Sequence, residues 1–137
     1  MDQNKKILVI DDGSAGFLKA QLLGTETGQE ICLIQPTNLK ALIASFRQFE
    51  IQAIVVNQVS YWEKGAAEEV YMIIRTQFKK TRIFWVTYGL VPNPPFMQLW
   101  DNVIHFPIVK ADTRRPHELA LEMATMIEAH AEMDEFV

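Results

Sequence analysis

At 137 residues the chain fits a single domain, and residues 1–137 are read as one unit long enough to bury a core. Apolar residues at 49% and charged residues at 22% exclude a disordered or fibrous class, and a net charge of −4 argues against direct nucleic-acid binding, which needs a basic face. The single cysteine, Cys32, makes no internal disulfide, and neither a signal peptide nor a membrane span is legible, so a soluble, cytoplasmic domain is expected.

The first expected strand is "KILVI", Lys6 to Ile10, and it stops at Asp11-Asp12-Gly13-Ser14. Ser14 is placed to cap a helix running to about Leu23, with Phe17, Leu18, Ala20, Leu22 and Leu23 as its apolar side. A turn cluster, "GTETG", leads to a second strand, "EICLI". Pro36-Thr37-Asn38 opens a second helix whose apolar side is Leu39, Leu42, Ile43, Phe46 and Phe49. "IQAIVV" is the third strand, and a longer helix follows from about Lys64 to Phe78. "RIFWVT" and "NVIHF" are the fourth and fifth strands. Between them, Pro92, Pro94 and Pro95 leave little room for a full helix. The last helix begins near Thr113 with Pro116 in its first turn, and Met133 to Val137 extends past what a sheet would cover.

Short, continuous, apolar strands alternating with helices predict a doubly wound α/β fold: a parallel sheet covered on both faces. In such a sheet the crevice is lined by the carboxyl ends of the strands. Those ends read Asp11-Asp12, Asn57, Thr87 and Phe106-Pro107. Two adjacent carboxylates are an oxygen site for a hard divalent ion, although on residue types alone the pair reads first as a strand-to-helix cap. Trp85 reads as core, Cys32 as a small buried hydrophobe, and His105 as a hydrogen-bonded core histidine. His117 and His130 show no metal-ligand spacing, and Gly13 lies in no nucleotide-loop pattern. Tyr61, Trp62, Tyr88 and Trp100 cluster near the ends of strands three and four, where aromatic side chains serve as binding anchors or as packing.

The ordered set "ILVIDDGS", Asn57, Gly65, "FWVTYG" and "HFP" resembles the receiver domain of two-component response regulators over nearly the whole chain. The resemblance implies a five-stranded flavodoxin-like sheet in the order 2-1-3-4-5. It also implies a phosphoacceptor aspartate at the place of Asn57, Mg²⁺ held with the help of Asp11 and Asp12, a switch hydroxyl at Thr87, and a lysine at the place of Phe106. Pro107 would follow a cis peptide bond, Ser60-Tyr61 replaces the family's Met-Pro, and Val103 stands where the family has a switching aromatic.

These departures imply a degenerate receiver, or pseudo-receiver. A neutral amide is a poor nucleophile toward phosphorus, and it removes a charge from the metal's ligand set. Phe106 lacks the cation that phosphoryl transfer leans on. Lys110, downstream of Pro107, is the one sequence-adjacent replacement. The expectation is therefore a non-enzymatic, phosphorylation-independent signalling module that binds a protein partner or a second copy of itself. It would carry no cofactor, with Mg²⁺ at most weakly held by Asp11 and Asp12. Two rival expectations are a small-ligand sensor built on Tyr61, Tyr88 and Trp100, and an unorthodox phosphoacceptor using Asp11 or Asp12.

Overall fold

The central strands carry buried apolar runs because both of their faces are covered, whereas the edge strands are partly exposed. The computed structural model of the chain describes residues 5–13, 16–58, 65–89, 100–109 and 112–135. Five parallel strands, β1 (Lys5–Ile10), β2 (Glu30–Ile34), β3 (Glu50–Gln58), β4 (Ile83–Tyr88) and β5 (Val103–Ile108), form one sheet in the order β2-β1-β3-β4-β5. This is the expected doubly wound order. Alternation along each strand divides the core in two. Val9, Val55, Phe84 and Val86 pack with Phe17 and Leu23 and with Leu119, Met123 and Ile127 of the last helix, α4 (Pro116–Glu135). On the other face Leu8, Ile10, Ile54, Val56 and Trp85 pack with Leu39, Ile43 and Ile74. Each such aliphatic side chain contributes about 1.5–3 kcal/mol on burial.

The first two helices are less regular than their apolar spacing predicts. The first is a 3₁₀ turn (Gly16–Leu18), a π turn (Ala20–Gly24) and one α turn, α1 (Thr25–Thr27). Thr25 and Thr27 donate side-chain hydrogen bonds back to Gln21 O and Leu23 O, which competes with the regular helical ladder. A Cβ on Gly24 would sit 3.3 Å from Gln29 O and 3.3 Å from Ile31 Cγ1, so glycine lets the helix approach β2. The second helix is a 3₁₀ turn (Pro36–Asn38), α2 (Leu39–Leu42) and a further 3₁₀ stretch (Ile43–Gln48). α3 (Ala66–Gln77) and α4 are regular, and Pro116 is the first residue of α4, where its missing N–H costs nothing.

Strands β3 and β5 run further than their apolar runs, so Asn57, Gln58 and Pro107 all lie within the ladder. Pro107 is tolerated because β5 is an edge strand. No cis peptide bond occurs among the described residues, which corrects the expectation at Pro107. Among the described residues no helix is long and apolar enough to cross a membrane. The expected Ser14 cap and the proline-rich stretch from Pro92 to Pro95 lie outside the described residues.

Candidate functional site

The strand order reverses direction between β1 and β3, and their carboxyl ends open the crevice there. Asp11 leaves β1 with its N–H donating to Ile34 O at 3.0 Å, which directs its side chain inward. It is 2% exposed. A buried carboxylate is costly unless its oxygens are satisfied, and both are. Asn57 Nδ2 donates to Oδ1 at 2.7 Å, and the Gly13 N–H donates to Oδ2 at 3.0 Å. Gly13 takes φ +95° to make that turn, a conformation that favours glycine. Asp12 is exposed.

Asn57 is buried, and its Oδ1 has no hydrogen-bond partner among the described residues. Burial pushes the Tyr88 phenol up to about 12; the Asn57 side chain opposes this, and the Asp11 and Asp12 carboxylates add to it. Tyr88 is half-buried against the core on the Val55 face of the sheet.

The other expected site residues point elsewhere. Thr87 is buried, and its Oγ1 is hydrogen-bonded to His105 Nε2 at 2.6 Å. Alternation along β4 places Thr87 on the face of Trp85, away from Val86 and Tyr88. Burial holds the His105 imidazole below its usual range. Phe106 lies in the core, stacked on Phe17 with ring centroids 6.3 Å apart. Pro107 is exposed and pairs in register with Thr87. Val103 packs against the α3-side core.

Trp100 does not join Tyr88. It stacks on Tyr71 at 4.6 Å and tilts against Trp85 at 5.3 Å, on the opposite face of the sheet. The single aromatic crevice expected from Tyr61, Tyr88 and Trp100 is therefore not formed between the latter two. Tyr61, Trp62 and Lys110 lie outside the described residues. Cys32 is half-buried rather than buried, with burial and then Glu30 pushing its thiol up.

Sequence reasoning missed three polar side chains. Gln58 accepts from Trp85 Nε1 at 2.9 Å and so ties β3 to β4 beside the crevice. Its signal is a second amide side chain, following Asn57 at the end of the apolar run. Arg114 places its guanidinium 5.7 Å from the Phe106 ring centroid, while Asp112 and Glu122 hold it from both sides. Its cation thus reaches the Phe106 ring, already paired with two carboxylates. The "DTRR" run was its only signal. Arg75 donates to Phe78 O, Thr81 O and Asp101 O, fastening the end of α3 to the start of β5.

The donor set does not fit Mg²⁺. An amide N–H occupies the Asp11 oxygen nearest Asn57, and a cation there would face the positive end of that dipole. Among the described residues no group of three His, Cys, Asp or Glu side chains is placed to hold a metal.

No family model and no curated protein matches the chain. Solved structures do. The chain is similar to the tagatose-6-phosphate ketose/aldose isomerase of Escherichia coli (13% identity, TM-score 0.58), with 94% of this chain and 37% of that one covered. It is similar to the lysine decarboxylase of Francisella novicida (12% identity, TM-score 0.60), with 96% of this chain and 17% of that one covered. The two-electron reduced flavodoxin of Megasphaera elsdenii matches at 14% identity and TM-score 0.50, with 87% of this chain and 98% of that one covered. The chain thus spans well under half of the isomerase and the decarboxylase. At these identities the likeness is one of fold, and it defines the class: a flavodoxin-like α/β domain.

Proposed function

We propose that the chain is a degenerate receiver domain, a non-enzymatic signalling module that takes no phosphoryl group at the usual site and acts through a protein partner. One observation carries the reading: the Asn57 amide donates to the buried Asp11 carboxylate at 2.7 Å. An aspartate at this place would repel Asp11 and need a cation between them; the amide instead satisfies Asp11 directly. Phe106 supports the same reading, because an apolar ring packed on Phe17 cannot neutralise a transferred phosphoryl.

Thr87 adds a third strand of support. Its hydroxyl is already bound to His105, so it is not poised toward Asn57. The module therefore holds one crevice arrangement, and its output depends on what binds elsewhere on its surface, whether a protein partner or a second copy. It uses no cofactor. Beryllofluoride with Mg²⁺, followed by amide NMR, tests the proposal: resonances of Asp11, Asp12 and Asn57 stay in place. Saturable shifts at those three residues would contradict it.

A further inference from the structure

β2 is one edge of the sheet and β5 the other, and the two edges are built differently. β5 carries Pro107, whose missing N–H blunts that edge. β2 carries no proline, and its register with β1 runs without a shift. In a parallel ladder alternate residues turn both of their backbone groups toward the same neighbour. The Asp11 N–H donates to Ile34 O at 3.0 Å, and Ile34, Cys32 and Glu30 pair with Ile10, Leu8 and Lys6. Those three residues therefore turn their N–H and C=O toward β1, and Ile31 and Leu33 turn theirs outward. Among the described residues no backbone group bonds the outward N–H and C=O of Ile31 and Leu33.

Two features fit a second copy of the same strand. First, the outward groups are symmetric about Cys32, the middle residue of β2. A two-fold axis through Cys32 sets Ile31 opposite Leu33 of the other copy, twice over, as hydrogen-bonded pairs that satisfy every outward group of both residues. In that register Glu30, already ion-paired with Lys6, faces Ile34 of the other copy, so no like charges meet across the axis. Second, the side chains at the edge are apolar. Leu33 is 52% exposed, and with Val9, Leu18 and Ile31 it lines a largely apolar concavity of about 280 Å³. Pairing lays Ile31 of the other copy against Leu33 and removes it from water.

We propose that β2 pairs antiparallel with β2 of a second copy of this chain, about a two-fold axis through Cys32, and joins two five-stranded sheets into one. This rests on the reading of the chain as an interaction module, whose partner it names as a second copy, but not on the state of the Asn57 crevice. Cys32 then meets its own counterpart as a non-hydrogen-bonded pair, with Cα atoms about 4.5 Å apart. That separation lies within the span of a disulfide, so the thiol reports on the register.

The test is sedimentation equilibrium of the full chain in the presence of a reductant. Its mass rises with concentration from 15.7 kDa toward twice that value and no further. Leu33→Pro removes an outward N–H and no bond to β1, and Leu33→Lys puts a charge on an exposed edge position; both stay monomeric with the native circular dichroism. In the native chain the Ile31 and Leu33 amides exchange with deuterium more slowly as concentration rises, a readout that needs no variant to fold. Copper–phenanthroline oxidation links native chains through Cys32, the single cysteine, about tenfold faster than it links Leu33→Lys chains. A monomer at every concentration, exchange at those two amides that ignores concentration, a dimer that survives in both folded variants, equal cross-linking rates, or assembly beyond a dimer overturns the edge pairing. None of these touches the crevice. Phosphoryl labelling there would overturn the degenerate-receiver reading and leave the dimer standing.

Discussion

Asn57 and Asp11 meet at 2.7 Å across the switch point of the sheet, and both are almost completely buried. A hydrogen bond to a buried charge is worth about 1.5–3 kcal/mol, so Asn57→Ala should destabilise the fold by roughly that amount. Asn57→Asp has a different signature. Two carboxylates this close cannot both ionise, so the pair binds a proton more tightly in the folded state than in the unfolded state. A raised folded pKa gives stability that is present at low pH and lost as pH rises through it. Urea unfolding of Asn57→Asp at pH 5 and pH 7.5 should show the variant weaker at the higher pH. A loss equal at both values would contradict the repulsion.

Phe106, where the receiver resemblance would place a lysine, packs as a core residue. Phe106→Lys should cost about 3–5 kcal/mol, comparable to truncating a buried aromatic, since the ammonium must find water from a packed site. Phe106→Leu should cost clearly less. Urea midpoints of the two variants decide this, and equal losses would mean that Phe106 is not packed as described.

Tyr88 should stay protonated far into the alkaline range. Its phenol is raised to about 12, whereas an exposed tyrosine titrates near 10. The contribution to stability is therefore complete below about pH 10 and is lost between about 10 and 12. The absorbance of phenolate at 295 nm, compared between the native chain and Tyr88→Phe, isolates this step. A difference curve centred near 10 would place Tyr88 in solvent rather than against the core.

At the acid end, Asp112 carries the corresponding prediction. Its hydrogen bonds from Arg114 hold the carboxyl down to about 2. The sign is that of a depressed acid: the contribution is whole above the unfolded value near 4 and disappears as pH falls through 2. Thermal melts of the native chain and Asp112→Asn should therefore differ at pH 5 and converge near pH 2. The gap at pH 5 should shrink in high salt, because the pair lies near the surface.

The five strands were legible because buried parallel strands read as unbroken apolar runs, and their order followed from the receiver-like spacing of Asp11, Asn57 and Thr87. The strand ends were less so. β3 and β5 continue through Asn57, Gln58 and Pro107 because backbone pairing does not depend on hydropathy. The first two helices keep only part of their expected apolar sides, since Ala20, Leu42 and Phe49 are exposed, and in the first helix tight packing at Gly24 and the threonine back-bonds break the regular ladder. The crevice was legible as a set of residue types and not as a set of directions. Nothing in the sequence sends Thr87 to His105, or Trp100 to Tyr71. Those directions come from strand alternation and from packing that composition does not encode.

The most direct measurement is the intact mass of the purified chain after incubation with Mg²⁺ and acetyl phosphate. The account predicts no phosphoryl adduct, both for the native chain and for Asn57→Asp, since Phe106 still leaves the transferred charge uncompensated. A stable adduct on the native chain would contradict it and would point to a phosphoacceptor other than Asn57.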